Sequence, residues 1–444
     1  MDRRFFDFRI HTRITTAFRV EALPIKGSKV AMKGCIKTRV VALALAVATT
    51  LLSGCANEAD RELNVEAYEW AIFISNSRNR SFFPRTFSGH VALVRGDGTY
   101  DLIDHSGMDA GKISWSEHGI NFADTEGDHW ITTRGHTVVK QDRIKLMNGL
   151  VTLSDGVTRI GVYNGGFHED GYREDVVVSR PDSSEHHTLT TVGFYPMISA
   201  CGDDVYGAYS RTPEDGEARF IFDQIVKDGA VEHVHVGTHK VPFSEFSYIA
   251  NDSPCAEGKI YFLGHFDLDH GAQASGDERL APYMRRTLGG DDYTFGLVAV
   301  DVRTGELDWL PLTTADGASL GLSPDDAGYS VFDAHSLDHV GNFVWLSGNG
   351  VLYRTDVETG QTTVLSDELK IEQHQIGSEW LYHFSSDDHI ATVLVEDTAD
   401  PFGQPRIVDI DKTTGKIVKD IRVKGLKNDV SGGMHIWDVA HKPR

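Results

Sequence analysis

From residue 65 onward the chain is a succession of short runs in which apolar and polar side chains alternate, broken by Gly, Asp, Asn and Pro. That period of two is the mark of half-buried strands, and the 3.6-residue period of an amphipathic helix is nearly absent. The sharpest regularity is Asp301-Val-Arg-Thr-Gly305, Asp356-Val-Glu-Thr-Gly360 and Asp411-Lys-Thr-Thr-Gly415, whose starts lie 55 residues apart, twice. A β-rich run precedes and follows each one, so each reads as a hairpin. The Asp side chain accepts from nearby backbone N–H groups and the Gly takes a positive φ. A fixed period above ~40 residues with several strands per period predicts propeller blades. Equivalent turns upstream are Gly96-Asp97-Gly98, Gln141-Asp142, Pro181-Asp182 and Lys227-Asp228-Gly229, which brings the number to seven.

Strands fall into place between these turns. Innermost strands are expected at Ile113–Trp115, Leu150–Leu153, Phe194-Tyr195, Phe246–Tyr248, Val331-Phe332 and Trp380–Tyr382. Second strands are expected at His129–Thr132, Arg159–Tyr163, Val205–Tyr209, Lys259–Leu263, Asn342–Leu346 and His389–Val395. The first blade lacks an innermost strand, while the chain ends in an orphan one, Met434–Val439. Pairing the two closes the ring and leaves no sheet edge exposed. The fold class expected is therefore all-β: a seven-bladed β-propeller over residues 65–444, closed by the C-terminal strand.

Residues 1–64 do not share this pattern. Lys33, Lys37 and Arg39 precede an uncharged, mostly apolar stretch from Val40 to Leu52, followed by Ser53-Gly54-Cys55. A positive segment and an apolar stretch too short for a membrane span of ~20 residues form an export signal. Leu52–Cys55 resembles the lipobox of bacterial lipoproteins, which implies that the Cys55 thiol carries diacylglycerol. Met32 is then the expected start of translation, with 1–31 an extension, 32–54 the signal and 55–64 a lipidated tether. The expected location is the cell membrane, lipid-anchored and facing the extracytoplasmic side.

The chain of 444 residues carries a formal net charge of −22. From residue 55 onward 33 basic side chains face 62 acidic ones, a net of −29. Such a surface repels phosphate backbones, so nucleic acid is not an expected partner. A soluble monomeric ring is expected, whose partner is an envelope protein, a glycan or another small molecule.

The segment Ala299-Val-Asp301-Val-Arg-Thr304-Gly305-Glu-Leu-Asp-Trp309 resembles the A-x-D-x-x-T-G-x-x-x-W repeat of quinoprotein-like and YVTN-like propellers. In that family the Trp docks one blade onto the next. Val364 and Lys419 stand at the equivalent positions of the two later blades, and the chain has no vicinal Cys pair. The resemblance thus implies the fold and a scaffold role shared with surface lipoproteins, and no quinone cofactor.

Several residues are candidates for chemistry. Cys201 and Cys255 are 54 residues apart, about one blade, at matching corners between first and second strands, where export permits a disulfide. Asp333, His335, Asp338 and His339 lie on or after one innermost strand; His383, His435, Trp437, Trp115 and Tyr248 lie on others, with His118 just beyond. Asp333, His335, His383 and His435 are the candidates for acid–base work, and Trp115, Tyr248 and Trp437 for ligand contact. Glu232, His233 and His235 alternate on an outermost strand, where a polar edge discourages sheet pairing. Gly317-Ala-Ser319-Leu-Gly321 has the G-x-S-x-G spacing without the strand before and helix after that a nucleophile elbow requires, and reads as a connecting loop. The irregular segment from Asp267 to Tyr293 holds Arg285 and Arg286, a basic pair expected to contact ligand, and its carboxylates at 267–292 are a candidate Ca²⁺ site; no other cofactor is expected. Two functions follow: a non-catalytic recognition scaffold, and as the alternative an extracytoplasmic lyase or hydrolase acting on a glycan or cell-wall fragment. The alternative requires His335 to converge with Asp333, His383 or His435.

Overall fold

The computed structural model describes residues 64–76, 88–141, 144, 146–211, 219–240, 245–246, 252–267, 293–320, 322, 330–371, 380–397, 403–430 and 434–443. Cys55 and the export signal lie outside these residues, as do Tyr248, Arg285, Arg286 and 268–292. The described residues form seven antiparallel sheets whose innermost strands meet around one axis. The protein is a seven-bladed β-propeller.

The first blade is a composite. Its innermost strand is Met434–His441, followed outward by Trp70–Asn76, Gly89–Val94 and Tyr100–His105. Trp70 stands opposite His441 and Asn76 opposite Met434, with one register shift between Phe73 and Ile74. The orphan strand at the chain's end thus pairs where the hydrophobic pattern places it. Trp70–Ile74 is buried throughout, as a strand covered on both faces must be.

The three Asp/Gly turns share one construction. Asp301 Oδ1 accepts from the backbone N–H of Arg303 (2.9 Å) and Thr304 (3.1 Å). Asp356 accepts from Glu358 and Thr359 at 3.0 and 2.8 Å, and Asp411 from Thr413 and Thr414 at 2.9 and 2.7 Å. The glycines adopt φ of +67°, +71° and +71°. Each also sits against the outermost strand of the preceding blade. A Cβ on Gly360 would lie 2.4 Å from the Pro311 carbonyl oxygen, and one on Gly305 would lie 3.1 Å from Gly237 Cα. Glycine is needed both for the turn and for the close approach of two backbones.

Blade-to-blade packing is aromatic where the repeat is intact and improvised where it is not. Trp309 is buried in a cluster with Phe343, Trp345 and Tyr353 of the next blade. Val364 is exposed at the equivalent position. Lys419 instead lies 4.7 Å from the Trp70 ring centroid and 2.6 Å from Glu69 Oε2, so a cation docks the seventh blade onto the first.

Expected elements are displaced in three blades. In the second blade the strands are Ile113–Ser116, Gly119–Ala123, Gly127–Thr132 and Gly135–Lys140. His129–Thr132 is therefore third, not second, and the outer hairpin turns at Thr133-Arg134 rather than Gln141-Asp142. Gly119–Ala123 is buried at every position, Asn121 included, and its alternation is confined to Ile120-Asn121-Phe122, too short a signal to announce a strand. In the fourth blade the innermost strand is Met197–Cys201, just beyond Phe194-Tyr195. Tyr195 is buried by its own bond to Asp223 Oδ2 (2.8 Å) rather than by sheet pairing. In the fifth blade the innermost position is shared by Glu245–Phe246 and Cys255–Ala256.

Candidate functional site

The axis of the ring holds a cavity of about 590 Å³ lined by residues from all seven blades. Two devices hold in place the strand Ile113–Ser116, which carries Trp115 and follows Lys112. Asp438, on Met434–His441, accepts the backbone N–H of Ile113 at 3.0 Å. Arg159, fully buried on the next blade's second strand (Arg159–His168), donates to Ser114 Oγ at 2.9 Å and Ser116 Oγ at 3.0 Å. Its guanidinium also packs 5.3 Å from the centroid of the Trp130 ring.

Asp333 is committed to the scaffold. It accepts from Ser386 Oγ at 2.6 Å and from the Ser386 backbone, joining the sixth blade to the seventh. Its contact with His335 is through that residue's backbone N–H, at 3.0 Å. His335 is exposed, and its carbonyl accepts from the buried Lys412 Nζ at 2.6 Å. Burial lowers the Lys412 pKa against the pull of Asp333 and the neighbouring carboxylates. His435 packs 5.9 Å from the Trp437 ring, and the Trp437 indole donates to the Ser75 carbonyl at 3.2 Å. Trp437 and Trp115 both line the cavity, as do Asp333, His335 and His383; His435 is not part of its wall.

Among the side-chain atoms of this wall that are sealed from solvent, Asp387 Oδ2 and His441 Nε2 face each other at 3.4 Å, while His383 Nε2 and Asp252 Oδ1 have no hydrogen-bond partner. Burial holds the His383 ring down at about 4, with Lys112 pushing the same way and a bond to the Trp437 backbone opposing. Burial raises Asp252 well above the usual carboxylate range, Asp333 and Asp438 add to this, and Lys112 counters it. Asp438 is raised by the same cause. Lys112, Asp252 and Asp438 were missed by sequence reasoning. Asp438 was legible as the alternate neighbour of Trp437, whereas Asp252 follows no strand pattern at all.

Other candidates serve structure. Asp223 accepts from Tyr195 and lies 2.8 Å from His235 Nδ1 and 3.5 Å from His233 Nε2, so the outermost strand Ala230–Lys240 is stitched to its neighbour. Asp338 accepts from the backbone of Val340 and Asn342 in a turn. Ser319 follows a tight turn in which Gly317 has φ +75°, with neither strand nor helix arranged as an elbow. Cys201 and Cys255 form a disulfide with Cα atoms 5.3 Å apart. Among the described residues no group of three His, Cys, Asp or Glu side chains is placed to hold a metal ion.

No protein-family profile matches the chain, and no curated protein matches it significantly in sequence. Solved structures align at low identity. An ACO/RPE65 chimera aligns at 9% identity over 87% of this chain and 94% of its own, with a TM-score of 0.45. The β-propeller domain of the Trilobed protease from Pyrococcus furiosus aligns at 11% identity over 80% and 94%, at 0.42. A glucose dehydrogenase aligns at 11% over 68% and 96%, at 0.34. At these values the likeness carries nothing about activity, and the propeller assignment rests on the seven sheets of this chain.

Proposed function

We propose that this chain is an extracytoplasmic lipoprotein, held to the membrane through Cys55, whose ring recognises a small polar ligand in its central channel without transforming it. The order of charged segment, apolar stretch and lipobox supports the anchor, with 32–54 as the signal removed on export and 55–64 acting as tether. The resemblance of Ala299–Trp309 to quinoprotein-like and YVTN-like repeats supports a scaffold role. One observation carries the recognition reading: the axial cavity draws its wall from all seven blades and keeps His383 Nε2 and Asp252 Oδ1 unsatisfied inside it. Buried polar atoms without partners cost on the order of 1–3 kcal/mol each, and a site that keeps them is shaped for a ligand that supplies the missing bonds. Against catalysis, Asp333 is spent on Ser386 and backbone N–H groups, and His335 meets it only through its main chain.

The test has two arms. Cys55→Ser is expected to abolish labelling by radioactive palmitate and to move the protein from the membrane to the soluble fraction; unchanged labelling overturns the anchor. Thermal melting of the detergent-solubilised protein against a panel of sugars, amines and small acids is expected to rise with at least one class. His383→Phe is expected to abolish that rise. A panel without any effect overturns the channel reading.

A further inference from the structure

Resting on the reading of the channel as a ligand site, we propose that its ligand is a protonated organic amine, with Asp252 as counter-ion and His383 Nε2 as a second acceptor. The argument is one of hydrogen-bond accounting and charge. His383 hydrogen-bonds the Trp437 backbone, a bond that favours the protonated ring and therefore has the imidazole as donor. A neutral imidazole that donates from one nitrogen accepts at the other, so Nε2 presents a lone pair to the cavity. Asp252 Oδ1 is likewise an acceptor. With Asp252 ionised, both positions ask for donors and neither offers one.

Charge points the same way. Asp252 faces Asp333 and Asp438, with Lys112 the cation acting on it. Asp333 is answered by Ser386, and Asp438 by the Ile113 N–H. Asp252 is left as the carboxylate without a donor, in a wall that carries more negative than positive groups. Among the described residues no three ligating side chains converge for a metal, and a cavity of about 590 Å³ is far larger than a bare ion. An ammonium group on a carbon frame fits both facts: it brings several N–H donors, and its charge neutralises Asp252. Trp115 and Trp437 on the same wall supply the aromatic faces that ammonium groups favour.

Titration calorimetry on the full lipidated protein in detergent tests this, with spermidine, cadaverine and glucosamine as amines and N-acetylglucosamine and glucose as neutral probes. At least one amine is expected to bind, and Asp252→Asn to weaken it tenfold or more while the variant still melts cooperatively. Affinity is expected to fall as the pH is lowered, because burial favours the protonated form of Asp252, flanked by Lys112, Asp333, Asp438 and His383, and a proton taken up there competes with the ligand. Binding of a neutral sugar without any amine, or amine binding that Asp252→Asn leaves intact, overturns the amine and leaves the channel reading standing. Binding of neither class overturns both.

Discussion

Trp70 donates its indole N–H to Asp409 Oδ1 at 3.2 Å, across 339 residues of sequence and across the seam where the ring closes. Trp70 belongs to the first blade, Asp409 to Arg406–Asp411 of the seventh, and both are fully buried. Asp409 also accepts from Thr392 Oγ1 at 2.7 Å. Removing the carboxylate strands at least two buried donors, whereas removing the indole N–H removes one bond. Asp409→Ala is therefore expected to cost about 3 kcal/mol or more and Trp70→Phe about half as much, and a double-mutant cycle is expected to show a coupling near 1 kcal/mol. Chemical denaturation measures all three; additive effects would mean that this hydrogen bond contributes nothing to the seam.

The turn glycines make a second prediction. A Cβ on Gly415 would lie 1.8 Å from the Leu365 carbonyl oxygen of the preceding blade, and φ is +71°. Neither the turn nor the neighbouring backbone yields cheaply, so Gly415→Ala is expected to destabilise by about 2–4 kcal/mol. A glycine with positive φ and no neighbour separates the two causes. Gly202 has φ +70° and nothing within 4 Å, and Gly202→Ala is expected to cost only the backbone share, about 1 kcal/mol. Equal losses at the two sites would show that the close approach contributes nothing.

These same turns explain what was legible in the sequence. Asp411 and Gly415 recur because turn chemistry and blade spacing both demand them, and a demand repeated at a fixed stride is visible without coordinates. The orphan strand Met434–His441 was legible for a related reason, since a closed ring tolerates no missing strand. Gly119–Ala123 was not, because its alternation spans only Ile120, Asn121 and Phe122. The channel was half legible. Trp115, Asp333, His335, His383 and Trp437 could be placed by strand order, but whether they meet depends on which bonds each has already made. Asp333 is answered by Ser386 from another blade, and Asp252 stands in the short segment before Cys255. Neither relationship leaves a trace in local pattern.

Glu174 is a buried carboxylic acid whose pKa burial raises from 4.5 to about 8, against the pull of the Tyr195 N–H and the Asn148 amide. The carboxyl accepts from Tyr195 at 3.1 Å and Asn148 at 2.9 Å. A folded-state pKa above the unfolded one means that the folded protein holds the proton more tightly. The associated stability is complete below about pH 4.5 and is lost as pH rises through about 8, by up to ~1.4 kcal/mol per unit within that window. Glu174→Gln keeps a neutral side chain of the same shape. Stability measured from pH 5 to pH 8.5 is expected to fall in the parent relative to this variant; parallel curves would show that Glu174 ionises normally.

The disulfide joins the innermost strands of two adjacent blades at the channel. Cys201 ends Met197–Cys201, Cys255 opens Cys255–Ala256, and between them Ile198 bridges to Asp252 while Ser199 Oγ donates to the Ser253 carbonyl. The covalent bond therefore fixes the segment that presents Asp252. Closing a loop of 54 residues removes chain entropy from the unfolded state worth about 4 kcal/mol in the simplest treatment, and somewhat less is commonly realised. Cys201→Ser with Cys255→Ser is expected to lower stability by about 2–4 kcal/mol in denaturant. Dithiothreitol is expected to produce the same loss in the parent and no further loss in the double variant. A loss confined to stability, with ligand affinity untouched, would place the bond's role in the unfolded chain; a parallel loss of affinity would place it in holding Asp252 at the channel wall.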